Sequence, residues 1–441
     1  MSNTDGSLAA PKRQHGWDVV FAAVGINLAL GILYTWSVIA GGIPKDWGWV
    51  DSDKAWPYAV ACLVFCLTMV PAGRMQDKLG PRLVASLGGV LVGVGMIAAS
   101  FTTTPMGFIL GFGVLAGAGM GFGYASATPP AVKWFPSAKT GMIAGIVVSG
   151  FGLASVYAAP LATWLIQEYE LQIAMRSLGI AFLVVVVSLA QLLKVPHKVE
   201  QFVKGLGRAG ELRAASDAPP PKKENFTPGE MMKTWQFYAL WFMYACGSGA
   251  GLMIIFSAKK LGASVSVGTW FVVFLAIGNG GGRILAGTLS DKLGRKVTLG
   301  GFLLFQAVLV LILSVAATKG SALNDPLALT VLAALTGANY GSNLALFPAF
   351  TKDFYGLKNF GVNYGLVFTA WGVGGFMLAK LAGWAFDGAT VAKWLFGGFD
   401  FASWKGSYNF AFYTSAVLLV LAAVVVFFIK APHHTEPEIA D

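Results

Sequence analysis

Apolar runs of about 20 residues recur along nearly the whole chain, and no other feature of the sequence restricts the fold as much. A run of that length is what a helix needs to cross the about 30 Å of hydrocarbon in a bilayer. Twelve can be marked: 17–40, 55–73, 83–101, 107–128, 141–165 and 174–193, then 235–257, 267–289, 297–317, 327–350, 361–386 and 410–429. Each is too long for a barrel strand, and a backbone in lipid must satisfy its polar groups within its own segment, so helix is the only assignment. Composition agrees: 56% of the 441 residues are hydrophobic, 12% are charged, and the mean hydropathy is +0.66. The expected fold class is an all-α polytopic membrane protein of twelve transmembrane helices.

Lysine and arginine give the orientation. With the N-terminus in the cytoplasm, 21 of the 31 basic residues fall on the cytoplasmic side and only 8 on the other. The remaining two, Arg283 and Lys380, lie inside spans. Both termini are therefore expected in the cytoplasm of a chain in the cell (inner) membrane. No cleavable signal peptide is expected, because the first run is full length and follows a polar leader carrying Lys12 and Arg13. The net charge of +10 reflects this bias and attraction to anionic lipid, so membrane lipids are expected partners and nucleic acid is not. Residues 194–233 break the pattern, with Pro219, Pro220 and Pro221 among charges of both signs and almost no aromatic residues. They read as a cytoplasmic linker between a half at 1–193 and a half at 234–441.

The halves resemble each other. Gly73 to Arg82 reads GRMQDKLGPR and Gly287 to Lys296 reads GTLSDKLGRK, a constant offset of 214 residues. Lys139, Gly141 and Gly145 likewise correspond to Lys358, Gly361 and Gly365. Two related, pseudo-symmetric six-helix halves point to a transporter whose site lies at their interface near mid-membrane.

The two ten-residue loops resemble both copies of the loop signature of the major facilitator superfamily: a glycine, an aspartate four residues on, a second glycine and basic residues. The resemblance covers the whole chain. Within that superfamily, GILYTWSV (Gly31 to Val38), KWFPSAKTG (Lys133 to Gly141) and NYGLVFTAWGVGG (Asn363 to Gly375) are similar to the oxalate/formate antiporter and monocarboxylate transporter branch. Physically, the loop signature suits a latch. Asp77 and Asp291 lie at helix ends, where pairing with neighbouring arginines such as Arg82 and Arg295 would hold one arrangement and break when the halves rock. Topogenic charge explains the basic residues there but not the aspartates.

Arg283 lies within the run from Val267 to Leu289, after more than twenty charge-free residues. A buried guanidinium keeps its proton and needs an anion. Snorkelling is the plain alternative, since Ser290 at the cytoplasmic end is only about 10 Å away. The direction opposes it: this span runs inward and helical side chains tilt toward their own N-terminus, so Arg283 points back to mid-membrane. No Asp or Glu lies deep in any span, Asp18 and Asp387 being at span ends, so the anion is expected to be substrate. Asn279, one turn earlier on the same face, suits an amide that bonds the guanidinium or a substrate oxygen.

The resemblance adds two contrasts. Animal monocarboxylate transporters carry an Asp four residues before this Arg; this chain has Asn279, which puts in question a proton mechanism that depends on that carboxylate. The oxalate exchanger of the branch has a lysine in the eleventh span where this chain has Trp371, so one deep cation in place of two favours a monoanion. Lys380 is the candidate second cation, with snorkelling to the outer face as its rival reading. The resemblance also implies that Tyr34, Tyr124, Tyr340 and Trp371 surround the substrate, where each could otherwise serve ordinary helix packing.

Other motifs carry no chemistry. GAGMGFG, Gly117 to Gly123, lies inside an apolar span with no preceding strand, which makes it a helix-packing stretch and not a phosphate loop. Cys62, Cys66 and Cys246 read as small apolar residues without disulfide or zinc, and His15, His197, His433 and His434 all lie outside the spans. No metal or cofactor is expected, and nothing clusters as an enzyme site would. The expected function is secondary active transport of a small monocarboxylate, lactate or pyruvate, by a monomer that couples it to protons in symport with alternating access. The alternatives are carboxylate exchange of the oxalate/formate type and, from another class, a non-transporting sensor on the same fold.

Overall fold

The computed structural model describes residues 14–135, 140–195, 225–356, 359–389 and 399–432. Lys139, Lys358, residues 196–224 of the expected linker, His197, His433 and His434 lie outside the described residues. Helix α1 spans Gly16–Gly41, α2 Asp51–Leu79, α3 Pro81–Ala99 and α4 Pro105–Val132. Thr140–Ala190 is a single helical run interrupted at Glu170, whose φ of 69° turns the chain back on itself and divides α5 (140–169) from α6 (171–190). The second half holds α7 Trp235–Leu261, α8 Gly268–Leu293, α9 Arg295–Ala316, α10 Pro326–Tyr355, α11 Phe360–Asp387 and α12 Asn409–Phe428. Among these, α10 alone is not apolar enough to qualify as a span on composition, because its buried face carries Thr336, Asn339, Tyr340, Ser342 and Asn343. The described residues give an all-helical fold of two six-helix halves, α1–α6 and α7–α12.

The internal repeat is visible in the backbone. Gly80 ends α2 with φ 86° and ψ 159°, and Gly294, its counterpart in the second loop signature, ends α8 with φ 85° and ψ 152°. Only glycine takes this conformation without strain, so both signatures make the same turn. They do not carry the same charge pairs. Arg295 follows Asp291 by four residues and bonds it at 2.8 Å, while also reaching Asp353 at 3.1 Å. In the first copy that position is Pro81, the first residue of α3, and Arg82 turns away to donate to the Leu193 carbonyl at 3.2 Å. Among the described residues Asp77 has no ion pair. Both pairs made by Arg295 lie within the second half, so neither bridges the two.

The halves meet along two seams, α2 against α11 and α5 against α8. Within the second half α8 and α10 approach closely. A Cβ at Gly278 or Gly282 would collide with the Ala334 or Ala338 carbonyl, and one at Gly337 or Gly341 with the Leu275 or Asn279 carbonyl. This reciprocal small-residue contact fixes the register of α8 on α10. Phe226 secures the start of the second half. It is buried, donates its N–H to the Tyr355 carbonyl at 3.1 Å, and accepts from Asn359 and Asn363 at 2.9 and 3.0 Å.

A polar clamp joins the halves at the face opposite to where α1 begins and α12 ends, here termed the far face. Asp387, at the end of α11, accepts from the first backbone N–H groups of α2, Asp51 at 2.9 Å and Ser52 at 2.6 Å. Asp51 in turn accepts from Lys260 and from the Tyr408 hydroxyl, both at 2.7 Å. The Lys260 ammonium sits 3.3 Å from the centre of the Phe386 ring. Lys380, only 1% exposed, donates to the Ser52 carbonyl at 2.8 Å and lies 4.0 Å above the Trp56 ring. Two consecutive positions of one half, Asp51 and Ser52, are thus held by four side chains of the other. Cys62 and Cys66 lie buried below them on α2, against Gly375 and Gly372 of α11.

Loss of this clamp will open the far face. Asp387→Asn removes the charge from two hydrogen bonds, each worth about 1.5–3 kcal/mol when charged, so the open population should rise about tenfold. In a protein with Cys66 and Cys246 replaced by alanine, the rate at which maleimide labels Cys62 is expected to rise by that factor. An unchanged rate would show that the clamp does not hold the seam.

Candidate functional site

Arg283 is 5% exposed and Asn279 is fully buried, both midway along α8 on the face toward α5. Their spacing of one turn lets Arg283 Nε donate to Asn279 Oδ1 at 3.2 Å. The Nη1 group crosses to the other half and donates to the Val148 carbonyl of α5 at 2.6 Å. It can do so because Gly152, whose own N–H follows that carbonyl in the helix, has no side chain. A Cβ there would lie 3.2 Å from both Arg283 Nη2 and the Asn279 amide carbon.

Two donors are left over. Arg283 Nη2 and Asn279 Nδ2 are buried with no hydrogen-bond partner, and among the described residues no carboxylate pairs with the guanidinium. An unmet donor in a low-dielectric interior costs about 1–3 kcal/mol, more when charged, so such a pair marks a place built for an acceptor. Asn279 Oδ1 and Val148 O each already take one of its hydrogens, and the Tyr124 hydroxyl is a further oxygen within its reach. What remains is a net positive recess beside Gly152, where Arg283 Nη2 and Asn279 Oδ1 would each lie 3.2 Å from an added Cβ.

Aromatic side chains enclose it. Tyr34 is carried by α1 where the helix tightens to 3₁₀ winding over Gly31–Thr35, a departure imposed by close packing of Gly31 on the Phe151 carbonyl of α5. Its hydroxyl meets that of Tyr340 on α10 at 2.6 Å, and Tyr340 accepts from Trp371 Nε1 on α11 at 2.8 Å. Trp371 can only donate, so this chain of three groups has one hydroxyl hydrogen free for a further acceptor. The Tyr34 ring stands edge-on to Phe151 at 5.0 Å, Tyr124 to Phe65 at 5.5 Å, and Phe65 to Trp371 at 5.1 Å. Phe368 stacks on Trp371 at 5.1 Å. The guanidinium is within electrostatic reach of the Tyr34, Tyr124 and Tyr364 hydroxyls.

The structure therefore brings Arg283, Asn279, Tyr34, Tyr124, Tyr340 and Trp371 to one place, drawn from five helices and both halves. Lys380 is elsewhere, in the far-face clamp, and Asp77, Arg82, Asp291 and Arg295 lie at the opposite helix ends. Sequence reasoning did not single out Val148, Gly152, Phe151 or Phe368. Phe65, which the 214-residue offset pairs with Asn279, is apolar, so the first half has no counterpart to that amide.

Comparison with known proteins agrees with the helical fold. The family model described as Major Facilitator Superfamily matches residues 19–258 and 237–441. The chain is 28% identical to an uncharacterized MFS-type transporter, YhjX, of Escherichia coli (strain K12), over 81% of this chain and 85% of that one. It is 25% identical to the oxalate:formate antiporter of Oxalobacter formigenes over 80% of each chain, and 25% identical to the apicoplast pyruvate carrier 1 of Toxoplasma gondii over 76% of this chain and 69% of that one. Among solved structures, a bacterial homolog of the human lysosomal transporter Spinster, described as inward-facing and unoccupied, superposes with a TM-score of 0.65 at 16% identity, covering 95% of this chain and 97% of that one. With a family model matching nearly its whole length and twelve helices arranged in two related halves, the chain is a multi-pass membrane protein and belongs to the Major Facilitator Superfamily.

Proposed function

We propose that this protein is a secondary transporter of a small monocarboxylate of the lactate or pyruvate type, working by alternating access with the near face in the cytoplasm. The observation that carries this reading is the pair of orphaned donors, Arg283 Nη2 and Asn279 Nδ2, with no carboxylate among the described residues to satisfy them. Two adjacent donors match the two oxygens of one carboxylate, and a single deep cation matches a single negative charge. The names of the relatives, an oxalate:formate antiporter and a pyruvate carrier, support small organic acids as the class.

In this account the carboxylate sits against Gly152 and accepts from Arg283 Nη2 and Asn279 Nδ2. The free hydroxyl hydrogen of the Tyr34–Tyr340–Trp371 chain serves the oxygen on the adjacent carbon. Phe65, Phe151, Phe368 and Tyr124 exclude water and limit the length of the alkyl tail. In the empty protein Arg283 holds the two halves together through the Val148 carbonyl. A bound carboxylate competes for the same guanidinium and loosens that link, which makes rocking of the halves depend on substrate. Proton symport is the proposed coupling. The described acidic residues lie at helix ends or in loops and position 279 is an amide, so the coupling proton has no carboxylate partner among the described residues of the spans.

Three measurements test this in proteoliposomes. Arg283→Gln and Arg283→Lys should each reduce lactate uptake about 30-fold or more, equivalent to about 2 kcal/mol, with the protein still expressed and folded. Substantial remaining uptake would refute the site. Gly152→Ala replaces a helical glycine by the best helix former, so thermal stability should hold while the half-saturation concentration for lactate rises about tenfold from steric intrusion at the recess. Equal transport in this variant would move the substrate away from α5. Under an inward proton gradient uptake should accelerate. Uptake indifferent to the gradient and dependent on internal carboxylate would replace symport by exchange.

A further inference from the structure

We infer that the far-face end of the α5–α8 seam is a binding site for the phosphate headgroup of an anionic phospholipid. A cleft of about 470 Å³ opens there between α5 of one half and the end of α7 and start of α8 of the other. Thr163 and Thr269 touch across its floor at 3.1 Å, so whatever occupies the cleft contacts both halves.

The cleft is positive and rich in donors. Lys259 lines it, half-buried, with its ammonium packed over Gly41 at the end of α1; a Cβ on that glycine would come within 3.4 Å of Nζ. The adjacent Lys260 is committed to Asp51 in the clamp, whereas among the described residues no carboxylate pairs with Lys259. The first-turn N–H groups of Gly268, Thr269 and Trp270, at the start of α8, also line the cleft and have no backbone acceptor. The Gln167 amide adds a neutral donor, while the threonine hydroxyls are committed, Thr163 to the Ala159 carbonyl at 2.8 Å and Thr269 to Thr163.

Its walls identify the source of the anion. Trp164 and Trp270 flank the opening and are 51% and 59% exposed, with Pro160 below them on the membrane side. Tryptophans at the end of a span sit at headgroup level, apolar toward the acyl chains and polar toward water. A soluble carboxylate or phosphate has no use for that apolar rim, while a phospholipid places its phosphate on Lys259 and its glycerol and upper chains along the two indoles. In the orientation set by the basic residues this is the outer leaflet.

Native mass spectrometry of the full chain, purified in detergent and offered equal phosphatidylglycerol and phosphatidylcholine, tests the assignment. Phosphatidylglycerol should be retained about tenfold over phosphatidylcholine, as charge-assisted bonds to one lysine warrant. The preference should vanish in Lys259→Gln and survive in Lys259→Arg. Equal retention of the two lipids by the unaltered protein, or an undiminished preference in Lys259→Gln, would overturn the site. Displacement of the lipid by millimolar inorganic phosphate or lactate, with the soluble anion bound in its place, would overturn the lipid assignment in favour of a soluble anion.

Discussion

A permanent positive charge buried without an anionic partner among the described residues is the condition around which the rest of the structure is arranged. Arg283 cannot lose its proton to escape the cost of burial, so every neighbouring group offers it partial compensation. Asn279 and the Val148 carbonyl satisfy two of its nitrogens, and the third is left facing a recess. Since one acceptor belongs to each half, the same residue that defines the site also ties the two halves together. In the proposed function, binding and conformational change are two uses of one guanidinium.

Holding that charge in position depends on close backbone contacts. The interlocking glycines of α8 and α10 set the height of Asn279 and Arg283 relative to Tyr340, and Gly31 brings the 3₁₀ turn of α1 close enough for Tyr34 to reach Tyr340. Gly152 leaves the Val148 carbonyl open on α5. Side chains at these places would widen the contacts and scatter donors that have to converge within about 3 Å. At the far face the clamp around Asp51 and Ser52 closes the same interface with charged hydrogen bonds. The described residues show no comparable polar bridge between the helix ends that carry the two loop signatures.

Much of this was legible in the sequence because lipid imposes simple rules. Span length and the repeated glycine-aspartate loops announced the helices and the halves, and a lone arginine in an apolar run pointed to the candidate site. What stayed hidden has no residue-type signature. A backbone carbonyl such as that of Val148 is common to every residue, and Gly152 looks like any packing glycine in a membrane helix. The clamp is assembled from Asp51, Lys260, Asp387 and Tyr408, which are far apart in sequence and individually resemble ordinary charges and aromatics at span ends. The two loop signatures read alike, yet proline at 81 in place of arginine at 295 decides that only the second copy forms its aspartate pair. Lys380 shows the same limit: its depth within the eleventh span was evident, but only the fold places it against Ser52 and Trp56 and away from Arg283.

The most direct test of the central claim is an experimental structure of the protein with lactate bound. The carboxylate should lie beside Gly152 within about 3 Å of both Arg283 Nη2 and Asn279 Nδ2, with the guanidinium drawn off the Val148 carbonyl. Lactate located elsewhere, or Arg283 Nη2 engaged by a protein acceptor while lactate is bound, would contradict the account.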